Sequence, residues 1–100
     1  MIKHIILWKL KDEIPADDIS KIKTEIKEGL EALKGQIPGL IDIKVQTTGL
    51  ASSNADLMLD SFFESEAALK GYAVHPKHVE VAAGKVSPFT QTRLCLDFEA

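Results

Sequence analysis

The sequence predicts an α+β fold in the order strand, helix, strand, strand, broken helix, strand. Three features of the chain predict it. Short segments at both ends and in the middle alternate their apolar residues with a period of two, as strands do. Ile19, Ile22, Ile26, Leu30 and Leu33 instead recur at spacings of three and four, which makes one apolar stripe on a helix. A later helical stretch is interrupted by His75-Pro76, because proline disfavours helical geometry at the residue before it yet suits a first helical turn.

The first strand spans Ile2 to Leu10. Ile2, His4, Ile6, Trp8 and Leu10 share one face; Lys3, Ile5, Leu7 and Lys9 share the other. Pro15 and the acidic pair Asp17 and Asp18 open the first helix, where carboxylates complement the helix dipole. Gly35 is a natural residue just past its end. Ile37-Pro38-Gly39-Leu40 turns into strand two, in which Ile41, Ile43 and Val45 alternate with Asp42, Lys44 and Gln46. A polar connection, Gly49 to Ala55, leads to strand three, Asp56 to Phe63. Leu57, Leu59 and Phe63 form one face of that strand, and Met58 and Phe62 the other. Ser65 caps a short helix running to about Tyr72. The second helical piece is expected from Pro76 to about Val86, and Ser87-Pro88 ends it. Strand four is Arg93 to Phe98, with Leu94, Leu96 and Phe98 on one face.

Two right-handed crossovers would lay both helices on one face of a four-stranded antiparallel sheet, the ferredoxin-like βαββαβ arrangement. The opposite face would stay open. Strands one and three carry large apolar residues on both faces, so a second covering is expected. A symmetry-related copy supplies it: the expectation is a homodimer closing two sheets into one α+β barrel, with an interface above roughly 2,000 Å².

One hundred residues, 45% hydrophobic and 27% charged, suit a single folded domain over 1–100 rather than a disordered chain. The net charge is −3, and basic residues are scattered among acids, as in Lys21, Lys23, Glu25, Lys27 and Glu28. No Lys/Arg run is long enough to follow a phosphate backbone, which speaks against nucleic acid. No apolar stretch approaches the roughly 20 residues that span a bilayer, and the N-terminus lacks a signal-peptide pattern; a cytoplasmic location is expected. The lone cysteine, Cys95, excludes an intrachain disulfide and any cysteine-based metal cluster.

The chain resembles the stress-responsive dimeric α/β-barrel (Dabb) family nearly end to end. The resemblance rests on His4 followed by Ile-Ile-Leu-Trp-Lys-Leu-Lys, on Ile37-Pro38-Gly39-Leu40, on Phe62-Phe63-Glu64, on Asp97-Phe98 and, most specifically, on Tyr72-Ala73-Val74-His75-Pro76-Lys77-His78. It implies a homodimer with a sheet-lined barrel but no single activity, since one fold hosts many functions. One plant member, a distant likeness, is a polyketide cyclase that makes olivetolic acid. There the equivalents of Tyr72 and His78 serve an aldol condensation, and His4 matches a further family histidine. The cyclase has another pocket histidine where this chain has Leu57.

Tyr72, His78 and His4 are thus the candidate catalytic residues, with His75, Leu57 and Trp8 as candidate ligand contacts. A histidine exchanges protons near neutral pH, and a tyrosine donates to a developing oxyanion; together they could enolise a carbonyl compound. Each residue also has a structural reading. His75 could cap the helix that Pro76 starts, His78 could hold a backbone carbonyl, Tyr72 could be a core ring, and His4 could be a satisfied sheet histidine. His75 and His78 lack a third metal ligand nearby, so no metal site and no cofactor are expected. Arg93 and Asp97 read as a surface pair or edge charges. The reading as a whole is a barrel protein that binds a small hydrophobic ligand, with a cofactor-free His/Tyr cyclase, isomerase or monooxygenase as the alternative.

Overall fold

A computed structural model describes residues 1–100. The strands are β1 (Ile2–Leu10), β2 (Leu40–Gln46), β3 (Leu57–Phe63) and β4 (Thr90–Glu99). The helices are α1 (Ala16–Glu31), α2 (Glu66–Val74) and α3 (Pro76–Val81). The strands form one antiparallel sheet in the order β2-β3-β1-β4, as the ferredoxin-like reading expects. No helix is long and apolar enough to cross a membrane.

The two-residue period decides which side chains meet the helices. Ile2, His4, Ile6, Trp8 and Leu10 of β1 are buried, as are Leu57, Leu59, Ser61 and Phe63 of β3. Opposite them, α1 inserts Ile22, Ile26 and Leu30, and α2 inserts Tyr72. A buried polar pair fits this layer because it is satisfied: the Ser61 hydroxyl donates to the His4 carbonyl at 2.8 Å. Gly39, at φ +81°, closes the turn into β2. A Cβ there would lie 2.4 Å from the Ala68 Cβ, so the glycine also lets α2 approach the sheet.

The other face carries Leu7, Leu94, Leu96 and Phe98, all exposed. Their register stacks Leu7 beside Leu94, Ile5 beside Leu96 and Lys3 beside Phe98. A single ion pair crosses this face, Lys3 Nζ to Asp60 Oδ1 at 2.7 Å.

Several boundaries differ from the sequence reading. The register of β2 shifts between Leu40 and Asp42, so a bulge at Ile41 breaks the alternation and Leu40 takes the core position. Strand β4 begins at Thr90, three residues before Arg93, because backbone pairing with β1 persists where the apolar pattern does not. The α-helix begun by Pro76 stops at Val81 and widens into a π-helical turn, Ala82–Val86, that seats Val86 in the core.

Candidate functional site

The break at His75-Pro76 builds the site. His75 adopts an extended backbone (φ −66°, ψ 131°) and serves both helices, ending α2 and capping α3. Its Nδ1 accepts from the Lys77 amide at 3.2 Å. The turn joins α2 directly to α3 through His75. His78, in the first turn of α3, comes to rest on the Tyr72 ring with centroids 4.1 Å apart and planes 32° apart.

Both rings line a cavity of about 170 Å³ between the helices and the sheet. His4 and Trp8 of β1 form part of its wall, and Arg93 of β4 stands there too. Four of the sequence candidates, His4, Trp8, Tyr72 and His78, therefore share one space. His75 and Leu57 lie outside it: His75 caps a helix, and Leu57 is a core residue bordering a different cleft.

Tyr72 is 2% exposed, and its hydroxyl has no hydrogen-bond partner in the protein. An unmet buried hydroxyl is costly, so its position at a cavity wall calls for a reason. Burial pushes its ionisation well above the usual tyrosine range, so the group is a proton donor at any physiological pH. His78 titrates below its ordinary value, first because burial disfavours the charged ring. Its Nδ1 lies 3.3 Å from the Ala73 carbonyl oxygen, which can only accept; Nδ1 must carry the proton, and Nε2 keeps a free lone pair. A neutral base and a neutral acid thus meet at one apolar space.

His4 stands across the cavity, its ring centroid 6.1 Å from that of Tyr72. Its Nδ1 is held by the Asp97 carboxylate, its neighbour across the β1–β4 pairing. The Cys95 thiol lies 3.8 Å from the same nitrogen and 3.5 Å from Asp97 Oδ1. Burial and the Asp97 carboxylate push the Cys95 thiol up, so it is no ready nucleophile. His4, Cys95 and Asp97 present ligand atoms within 4.8 Å of one another, the one such group of metal-ligating types in the fold. The structure thus places Cys95 in a mixed cluster that a lone cysteine in the sequence did not reveal. Asp97 and Arg93 are likewise no surface pair. Asp97 serves His4, and Arg93 makes no ion pair. The missed signal was alternation: Arg93, Cys95 and Asp97 share the β4 face opposite Leu94, Leu96 and Phe98, but matching that face to His4 needs the strand register.

The model of the stress responsive A/B barrel domain matches residues 2–100. A stress-response A/B barrel domain-containing protein of Arabidopsis thaliana is 32% identical over 102 residues. The match covers all of this chain and 37% of that relative, so the chain spans little more than a third of its length. A crystal structure from Bacteroides fragilis, described as a dimeric protein of unknown function with a ferredoxin-like fold, is 30% identical with a TM-score of 0.91, covering 99% of this chain and 95% of that one. A dimeric ferredoxin-like protein of unknown function from Thermobifida fusca is 25% identical with a TM-score of 0.78, covering 99% and 90%. The chain belongs to the stress-responsive A/B barrel domain family.

Proposed function

We propose that residues 1–100 act as one unit that binds a small hydrophobic carbonyl compound in the cavity between Tyr72, His78 and His4. One observation carries the reading: the Tyr72 hydroxyl, buried and without a partner, lines an apolar cavity beside a neutral histidine. A ligand carbonyl oxygen would satisfy that hydroxyl and return the cost of burying it. The cavity matches, in size, the roughly 150 Å³ engineered cavity that accepts benzene, so its occupant is small.

The same geometry supports a second reading, cofactor-free catalysis. Tyr72 would donate to the carbonyl oxygen while Nε2 of His78 removes a proton from the adjacent carbon. The enolate that forms keeps the Tyr72 hydrogen bond, and the proton returns from His78 to close the cycle. His4 would assist, held in one tautomer by Asp97.

The unit would work as a homodimer closed through the open sheet face. Exposed Leu94, Leu96 and Phe98 support this, as do the dimeric relatives. A reducing compartment such as the cytoplasm suits the free Cys95 thiol.

The test is His78→Ala. Its ring stacks on Tyr72 but is only half-buried, so melting temperature and molecular mass should stay nearly unchanged. Binding of small cyclic ketones, followed by chemical-shift changes at Tyr72, should weaken about tenfold or more, from lost stacking and hydrogen bonding. A His78→Ala protein that unfolds, or one that binds unchanged, returns the residue to a structural role.

A further inference from the structure

Arg93 is the one permanently charged side chain in the wall of the Tyr72–His78 cavity. It also lines the neighbouring groove between α2 and β4, where Cys95 and Asp97 lie, so it stands at the boundary of the two spaces. No carboxylate lies within ion-pair distance of its guanidinium. Asp97, the acid on the same strand face, is already taken by His4. The Arg93 charge nevertheless acts on both the Tyr72 hydroxyl and the His78 ring. A guanidinium with no carboxylate partner, beside the Cys95 thiol, and a buried unpartnered hydroxyl line one cavity, and together they define a ligand with two different ends.

From this we infer that Arg93 selects the ligand's charge: the cavity takes a small carboxylate whose apolar body lies against Trp8 and Tyr72. The inference rests on the cavity reading above and adds to it the class of ligand. The guanidinium fork matches a carboxylate with two parallel hydrogen bonds, which an ammonium or a neutral amide cannot reproduce. The same charge would steady an enolate forming near Tyr72, so binding and chemistry would use one cation. A neutral ligand of the same shape would leave the guanidinium without a partner at the cavity mouth.

Matched probes separate charge from shape. Cyclohexanecarboxylate and cyclohexanecarboxamide are nearly isosteric and differ in charge at neutral pH. Their affinities for the natural protein, measured by calorimetry or by ligand-observed NMR at low salt, should differ by about tenfold or more in favour of the acid. In Arg93→Gln the two should converge to within about twofold, by loss of the acid's advantage alone. Arg93→Lys should keep part of the preference, because charge survives while the fork does not. Arg93 is exposed, so melting curves of both variants should overlay that of the natural protein. Equal binding of acid and amide to the natural protein, or a preference that survives Arg93→Gln, overturns the role of Arg93. The cavity reading stands in that case if Tyr72→Phe still weakens both probes. Binding of neither probe overturns both.

Discussion

Phe62 and Phe63 are neighbours in β3 and live on opposite faces of the sheet. Phe63 is wholly buried under the helices, its ring 5.0 Å from Tyr72. Phe62 lies on the open face, with the Lys3 ammonium 5.2 Å above its ring. The two faces fail to satisfy themselves in opposite ways. On the covered face the apolar groups are packed, and a polar group, the Tyr72 hydroxyl, is left without a partner. On the open face Lys3 is paired with Asp60, and the apolar groups are left in water: Leu94 is 63% exposed and Leu96 64%. A polar need inside a cavity would be met by a small molecule, as proposed above. An apolar need spread over three strands calls for another protein surface.

The largest effect should come from breaking the open face. Light scattering at low micromolar concentration should report twice the chain mass. Leu96→Lys puts a charge beside Ile5, at the middle of the β1–β4 ridge, and should weaken association by about a hundredfold or more, since an unpaired buried charge costs several kcal/mol. A monomeric natural protein, or a Leu96→Lys dimer of unchanged strength, would show that this face needs no partner.

A smaller effect separates the covered face by pH. His78 titrates below its unfolded value, so its neutral form is favoured in the folded state. The unfolded chain then binds the proton first, and the stability His78 contributes is complete above about 6.5 and is lost as pH falls below it. The neighbouring Arg93 charge and His4 act in the same direction. Tyr72 has the mirror behaviour. Its raised value leaves stability intact below about 10 and removes it as pH rises further, because only the unfolded chain releases that proton. Melting temperatures of the natural protein and His78→Ala, measured between pH 8 and 5, should diverge below about 6.5. Parallel curves would mean that His78 is solvated as well as it is in the unfolded chain.

Much of this was legible in the sequence, for a physical reason. Periodicity of two and of three to four is local, so strand faces, the α1 stripe and the helix break at His75-Pro76 could be read from neighbouring residues. The approach of Tyr72 and His78 followed, because proline fixes the turn between them. Register is not local. The service of Asp97 to His4 depends on how β1 aligns with β4, and nothing within either strand states that alignment. The Ile41 bulge hid for the same reason, since one extra residue leaves the apolar content of β2 unchanged. The unpartnered state of the Tyr72 hydroxyl was also invisible, because it depends on what every surrounding element fails to offer.

That hydroxyl separates a ligand site from a structural core most directly. Tyr72→Phe removes one oxygen and keeps the ring. If the hydroxyl is there for a ligand, its removal relieves an unmet polar group, and the unliganded protein should be unchanged in stability or more stable by about 1 kcal/mol in urea unfolding. The same variant should lose affinity for the carbonyl probes by about tenfold. Greater stability with weaker binding is the result the account predicts. A Tyr72→Phe protein destabilised by more than about 1 kcal/mol, with binding intact, would contradict it, because the hydroxyl would then be holding the fold.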